Sequence, residues 1–261
     1  MPDIHPTAIV DKTARIGKNV QIGPYAVVEA DTVIEEDCKI GNFATVGQYT
    51  HLGAGCTLFP HAVVGTIPQD LKFHGEKTFL EVGSNTTFRE FCMINRGTEN
   101  GGGITKIGSG CLIMAFSHIA HDCIVGDGVI MANGATLAGH IIIEDYAIIG
   151  GLTAIHQFAR IGKYAMVGGS SGVSQDILPF CLSADPRATL YGINKIGLLR
   201  HNFTQQQIDN LTKAYRILFL ENLPVEEAIN KLESLFDDPN ISHLIKFIKT
   251  TKRGFCRPKK R

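Results

Sequence analysis

The 261 residues carry 25 Lys and Arg against 25 Asp and Glu, so no global charge points to nucleic acid or an acidic membrane surface. Hydrophobic residues make up 44%, the level of a soluble globular protein, and no apolar run is long enough to span a bilayer. No secretory leader opens the sequence and the seven cysteines form no CxxC pair, which leads to the expectation of a cytoplasmic protein with reduced thiols.

From Ile4 an aliphatic residue returns every six positions: Val10, Ile16, Ile22, Val28, Ile34, Ile40, Val46 and Leu52. Gly, Asp or Glu usually follows it, and a small residue sits fifth. A self-similar period outranks local propensity in fixing an architecture. Three such sixes close a triangular coil of about 18 residues, each six giving one short strand and one turn, and coils stack at roughly 4.8 Å. The aliphatic position points inward, and Gly and Asn in the turns suit positive φ. Cys38, Cys56, Cys92, Cys111 and Cys123 all occupy the small fifth position, so they read as buried apolar residues rather than ligands or nucleophiles.

Two stretches break the rhythm, 66–78 and 95–103, and the phase returns at Val82-Gly83 and at Ile107-Gly108, running to about Val173. Insertions in repeat proteins tend to gather on one face, often the binding face. After Pro186 the pattern turns helical. Thr204 with Gln207 reads as a capping box, followed by an apolar face of Ile208, Leu211, Tyr215, Leu218 and Phe219. Pro224 opens a second helix with Val225, Ala228, Ile229, Leu232, Leu235 and Phe236 on one side, and a third begins near Ile241. The expected organisation is a β-helix over 1–187 and a small helical domain over 188–261. The basic end, Lys252, Arg253 and 257–261, reads as a solvated terminus.

Four of the ten histidines, His118, His121, His140 and His156, fall in an uninterrupted stretch. His140 follows Asp122 by 18 residues and Gln157 follows His121 by 36, so coil arithmetic puts all four on one edge within roughly 10 Å of height. A turn histidine can simply bond a neighbouring carbonyl. Adjacent His121 and Asp122, however, form an acid–base pair in which a neutral imidazole removes a proton and a carboxylate holds its tautomer. Gly139 offers an unshielded N–H for an oxyanion. No Ser or Cys stands beside these histidines in a nucleophile motif, which favours direct transfer over a covalent intermediate.

The repeat resembles the hexapeptide, left-handed β-helix family, whose habit is a cyclic trimer of prisms. More narrowly, His118-Ile-Ala-His121-Asp122-Cys, Ala135-Thr-Leu-Ala-Gly-His140 and Ala154-Ile-His156-Gln157-Phe resemble the UDP-N-acetylglucosamine O-acyltransferases that open lipid A synthesis. So do Gln69-Asp70-Leu-Lys72, Asn95-Arg-Gly-Thr98 with its glycine run, and Val167-Gly-Gly169-Ser-Ser-Gly-Val173. The resemblance covers essentially the whole chain. It implies transfer of an (R)-3-hydroxyacyl group from acyl carrier protein to the sugar 3-hydroxyl, with no cofactor and no metal. It implies His121 as general base, Asp122 as its orienting partner and Gly139 as oxyanion donor. Gln69, Asp70 and Lys72 would meet the sugar nucleotide from a neighbouring subunit, while His118, His140, His156 and Gln157 line the groove. Arg200 would approach the diphosphate, and Gly169 would act as the acyl-chain ruler, its missing side chain admitting a long acyl group. Arg160, Lys163 and the tail are candidates to receive the acidic carrier protein.

The sequence departs from that family at Asn95, often His, at Ile196, where an acidic residue can meet the base, and at His201, where a second Arg is common. Three rivals are distinguishable. An N-acyltransferase of the same pathway usually carries an extra uridine-binding domain ahead of the repeats. A metal-dependent hydratase resembling γ-type carbonic anhydrase needs three His ligands and an open position. A non-catalytic scaffold would be indifferent to the loss of His121.

Overall fold

The structure, a computed structural model, describes residues 1–259; Lys260 and Arg261 of the basic end lie outside the described residues. Strands of mostly two residues build three sheets of eleven, nine and eight strands; through the coils each strand pairs in parallel with the one three strands away in sequence, and only the last two strands of the first sheet depart from this. The register follows the period: Ile119 pairs with Leu137 and Leu137 with Ile155, 18 residues at each step. The result is a three-sided parallel β-helix.

The inward aliphatic position forms the core. Ile94, Ile119 and Leu137 have no exposed surface, and Ile155 has 3%. Each such side chain contributes roughly 1.5–3 kcal/mol of burial. The five cysteines of the fifth position are buried and free, as are Cys181 and Cys256. Burial pushes the Cys123 thiol, beside the histidine edge, up to about 12, which leaves it without nucleophilic character.

From Asn19 onward the fourth residue of a six takes the left-handed conformation, and it is often neither Gly nor Asn. Tyr25, Phe43, His61, Phe91 and Phe116 occupy it along the edge between the first and second sheets. Their rings stack at 4.9–5.2 Å. A ring pair contributes roughly 0.5–1.5 kcal/mol, which offsets much of the roughly 1–2 kcal/mol cost of that backbone conformation.

Both interruptions leave the second sheet and re-enter the third. Residues 66–78 join strand Val63–Thr66 to Phe79–Val82, and 95–103 join Met93–Asn95 to Ile104–Ile107 through a 3-10 turn at Glu99–Gly101. The turns carrying His121, His140 and His156 lie on that same edge, higher up the prism.

Beyond the last full coil the chain does not turn directly helical. Strand Cys181–Ala184 extends the first sheet, and Thr189–Ile193 folds back on it antiparallel across Pro186, a hairpin the six-residue pattern gives no sign of. Four helices follow: α1 (Lys195–Arg200), α2 (Gln205–Phe219), α3 (Val225–Leu235) and α4 (Pro239–Lys249). The capping box at Thr204 and Gln207 is formed. Ile208, Leu211, Ala228, Leu232, Leu244 and Ile248 continue the apolar cluster of the coils, whereas Leu235 is half exposed because Phe236 leaves the helix in extended conformation.

A polar staple fixes the tail to the prism. Buried Asp176 accepts from the Arg160 backbone N–H (2.9 Å), the Arg160 Nε (2.9 Å) and the Thr251 hydroxyl (2.8 Å). The same guanidinium donates to the Phe247 carbonyl of α4 at 2.8 Å and lies 4.1 Å from its ring centroid. Arg160, considered from sequence as a carrier-protein contact, is instead consumed in this internal staple. His243 Nε2 adds a contact at 2.8 Å to Glu144. No helix among the described residues is long and apolar enough to cross a membrane.

Candidate active site

His121 and Asp122 are adjacent, and in an extended strand they would point apart. At the turn Asp122 adopts φ of 60°, which swings its carboxylate back to the His121 ring. The His121 Nδ1–H donates to Asp122 Oδ2 at 2.7 Å. A carboxylate can only accept, so the proton sits on Nδ1 and Nε2 is left as the basic atom. The Asp122 side chain is fully buried and that of His121 is 12% exposed.

One coil higher, Gly139 faces the imidazole. A Cβ there would lie 2.6 Å from His121 Cε1 and 2.8 Å from Nε2, so any side chain would displace the base. At other corners the equivalent backbone N–H is taken by a carboxylate: Glu29 receives Gln48 and Glu144 receives Lys163. The Gly139 N–H donates to no group among the described residues. It is a free donor beside the basic nitrogen, the arrangement an oxyanion requires.

His140 also has left-handed φ and stacks on Phe158 at 4.7 Å. Its ring meets that of His121 edge-on at 5.2 Å, with Nε2 3.8 Å from Asp122 Oδ2. His118, on the last strand before the turn, donates from Nδ1 to the Met93 carbonyl at 3.1 Å, leaving Nε2 to accept from a hydroxyl. His156 makes a 3.1 Å bond to the Gln157 carbonyl and is exposed. All four histidines and Gln157 therefore share one edge, as the coil arithmetic expects.

Burial lowers His118 from the ordinary value of 6.5, the Met93 bond opposes the shift and His121 adds to it. With a depressed folded value the unfolded chain binds more protons. The stability this histidine contributes is present above 6.5 and is lost as pH falls through the folded value. Between about pH 7.5 and about pH 5 the wild type is expected to lose more stability than His118→Gln. Denaturant melts of both at each pH check this; parallel losses would contradict it.

The other expected site residues stand apart from this cluster. Asp70 accepts from the Lys72 backbone N–H at 3.0 Å, capping its own turn, and Lys72 is exposed with no ion pair among the described residues. Gln69 donates to Met93 Sδ at 3.4 Å. Their loop is on the histidine edge but two coils lower. Asn95, the departure from the expected histidine, is buried and donates to Thr66 Oγ1 (3.1 Å) and the Ile67 carbonyl (2.9 Å), tying the two insertions together.

Arg200 ends α1 on a different edge, between the third and first sheets, where the following His201 packs on Tyr146 and Tyr164 at 5.0 and 5.1 Å. Gly169 lies on the remaining edge, between the first and second sheets. It has no positive φ, and a Cβ there would meet only Gly151, at 3.1 Å from its carbonyl oxygen. The φ of residue 169 therefore does not require glycine, although a Cβ there would press on the Gly151 carbonyl. Thr98, which the sequence offers only as part of a motif, and Thr105, which it does not mark at all, meet Asp122: the Thr98 hydroxyl donates to Asp122 Oδ2 at 2.6 Å, and the Asp122 N–H donates to Thr105 Oγ1 at 2.8 Å.

Donor atoms of His121, Asp122 and His140 lie within 4.8 Å of one another, a spacing that would admit a metal. The carboxylate is, however, already engaged by His121 and by both donors of Thr98.

The six-residue repeat matches the bacterial transferase hexapeptide over residues 13–48 and 104–139, which puts the chain in the class of hexapeptide-repeat transferases. Residues 176–256 match the second domain of UDP N-acetylglucosamine O-acyltransferase. The acyl-(acyl-carrier-protein)–UDP-N-acetylglucosamine O-acyltransferase of Anaeromyxobacter sp. (strain Fw109-5) is 50% identical over 97% of this chain and 99% of its own length. That of Aliarcobacter butzleri (strain RM4018) is 50% identical over 97% and 98%. The crystal structure of the UDP-N-acetylglucosamine acyltransferase of Bacteroides fragilis 9343 superposes with a TM-score of 0.95 at 40% identity, covering 97% of this chain and all of that one. The chain belongs to this O-acyltransferase family of lipid A biosynthesis, and its prism is the family's left-handed β-helix. The hydratase, scaffold and N-acyltransferase readings fall away with that membership.

Proposed function

We propose that His121 and Gly139 carry out the transfer of an (R)-3-hydroxyacyl group from acyl carrier protein to the 3-hydroxyl of UDP-N-acetylglucosamine. His121 Nε2 takes the proton of the hydroxyl as its oxygen attacks the thioester carbonyl. The Gly139 N–H holds the developing oxyanion. As the C–S bond breaks, the imidazolium returns its proton to the departing phosphopantetheine thiolate. The observation that carries this reading is the Nδ1–H bond to Asp122, which leaves the basic nitrogen beside an unoccupied backbone donor. The steps use only protein groups, so no metal or organic cofactor enters, and both substrates are expected in the cytoplasm.

The working unit is a cyclic homotrimer. Arg200 and Gly169 stand on other edges than His121, so one prism cannot offer all three to one substrate. Leu112, Ile130, Ile148 and Met166 form an outward aliphatic ladder on the first sheet, in register, of the kind a second prism would cover. Asp70 and Lys72 of one subunit and Arg200 of another then bracket the sugar nucleotide held by His118, His140, His156 and Gln157. Co-expressing His121→Ala with Arg200→Ala tests this: mixed oligomers regain activity neither variant has alone. Absence of recovery in isolated mixed oligomers would contradict a shared site.

Gly169 sets acyl length by what it lacks: without a side chain the slot stays open to a long chain. Gly169→Met is expected to lower kcat/KM for the longest accepted donor relative to a shorter one by about tenfold or more. Competition between two donors of different length reads the ratio directly, and an unchanged ratio would remove Gly169 from this role.

A further inference from the structure

The fully buried carboxylate of Asp122 is gripped from the second insertion. Thr98 donates twice, from its backbone N–H to Oδ1 at 2.8 Å and from its hydroxyl to Oδ2 at 2.6 Å. The hydroxyl in turn accepts from the Gly101 N–H at 3.2 Å, which orients its own proton toward the carboxylate. Thr98 is 6% exposed and caps the 3-10 turn Glu99–Gly101. Gly101 has no positive φ, so its backbone would tolerate alanine; yet a Cβ there would overlap Cγ and both oxygens of Asp122. The glycine run is therefore shaped to the carboxylate it covers, not to its own turn alone.

We propose that Thr98, admitted to contact by the absent side chain of Gly101, is a positioning residue for acyl transfer: it fixes the Asp122 carboxylate, and through it the tautomer and tilt of His121. This rests on His121 acting as the base. Oδ2 has two donors, the Thr98 hydroxyl and the His121 Nδ1–H, and Oδ1 has the Thr98 N–H. With the carboxylate held at two points by Thr98, the His121 Nδ1–H supplies the third, and in that orientation Nε2 lies under Gly139. Without the hydroxyl, a buried acceptor loses a partner and the carboxylate gains freedom to turn on its remaining bonds.

The test is Thr98→Val, which keeps shape and backbone N–H but removes the hydroxyl. The expected result is a kcat lower by about 10- to 100-fold, the range for one hydrogen bond to a charged group, with KM for UDP-N-acetylglucosamine within about twofold. Thr98→Ser restores kcat. In an Asp122→Asn background Thr98→Val has little further effect, because its action runs through that carboxylate. A kcat for Thr98→Val within about twofold of wild type, or an equal loss in the Asp122→Asn background, overturns the proposal. If Thr98→Val does not fold, Gly101→Ala decides: it leaves the hydroxyl in place but displaces the carboxylate, and wild-type kcat there overturns the idea. His121→Ala runs alongside; activity in that variant would sink the base assignment itself, whereas its inactivity beside a fully active Thr98→Val would sink only the role of Thr98.

Discussion

Replacing His121 by alanine is expected to lower kcat/KM by about 10^2- to 10^4-fold, the range a positioned general base supplies, without unfolding the prism. The imidazole is not part of the apolar core: its anchoring bond is to Asp122, and Asp122 keeps both bonds from Thr98 when the ring is gone. Burial of Ile119 and Cys123 on either side is untouched. Circular dichroism and melting near wild type, with acyl transfer nearly abolished, are the expected pair of readings.

The second large effect falls on stability. Asp176→Ala removes the acceptor of the Arg160 guanidinium, the Arg160 N–H and the Thr251 hydroxyl at once. Asp176 is 1% exposed and the Arg160 side chain 19%, so solvent replaces little of what is lost. Breaking one side of a buried pair costs about 3–5 kcal/mol because the other charge stays behind. For a chain of this size that is a fall in melting temperature on the order of 10 °C. The consequence for activity follows from connectivity. The staple joins the last coils to α4, whose neighbour α2 packs on α1, the helix that ends in Arg200. Weaker binding of UDP-N-acetylglucosamine, seen as a higher KM, is expected to accompany the lower melting point. A variant with unchanged melting would show the tail to be held by its apolar contacts alone.

The repeating part of this molecule was readable because its period is also its physics. A residue such as Leu137 is buried because it opens a six, and Ile119 and Ile155 follow by register. The same arithmetic brings His140 over Asp122, since no insertion falls between them. It fails across the insertions: nothing in the spacing sets Thr98 against Asp122, because 95–103 leaves the six-residue phase. The left-handed fourth position was anticipated as Gly or Asn, but stacking between neighbouring coils lets Tyr and Phe occupy it. The hairpin at Thr189–Ile193 was illegible for a different reason. Its pairing with Cys181–Ala184 is tertiary, and five residues after a proline carry no period. α1 is only six residues long with Gly197 inside it, too weak a local signal to mark a helix. Arg160 shows the limit for charges, since sequence cannot tell a docking cation from one spent on a buried aspartate.

The most direct test of the account is mass spectrometry of the product after incubating UDP-N-acetylglucosamine with (R)-3-hydroxyacyl carrier proteins of graded chain length, wild type beside His121→Ala. The account predicts a single O-acylated sugar nucleotide from the wild type, favouring a long donor, and none from the variant. No acylated product from any donor, or equal product from His121→Ala, would contradict it.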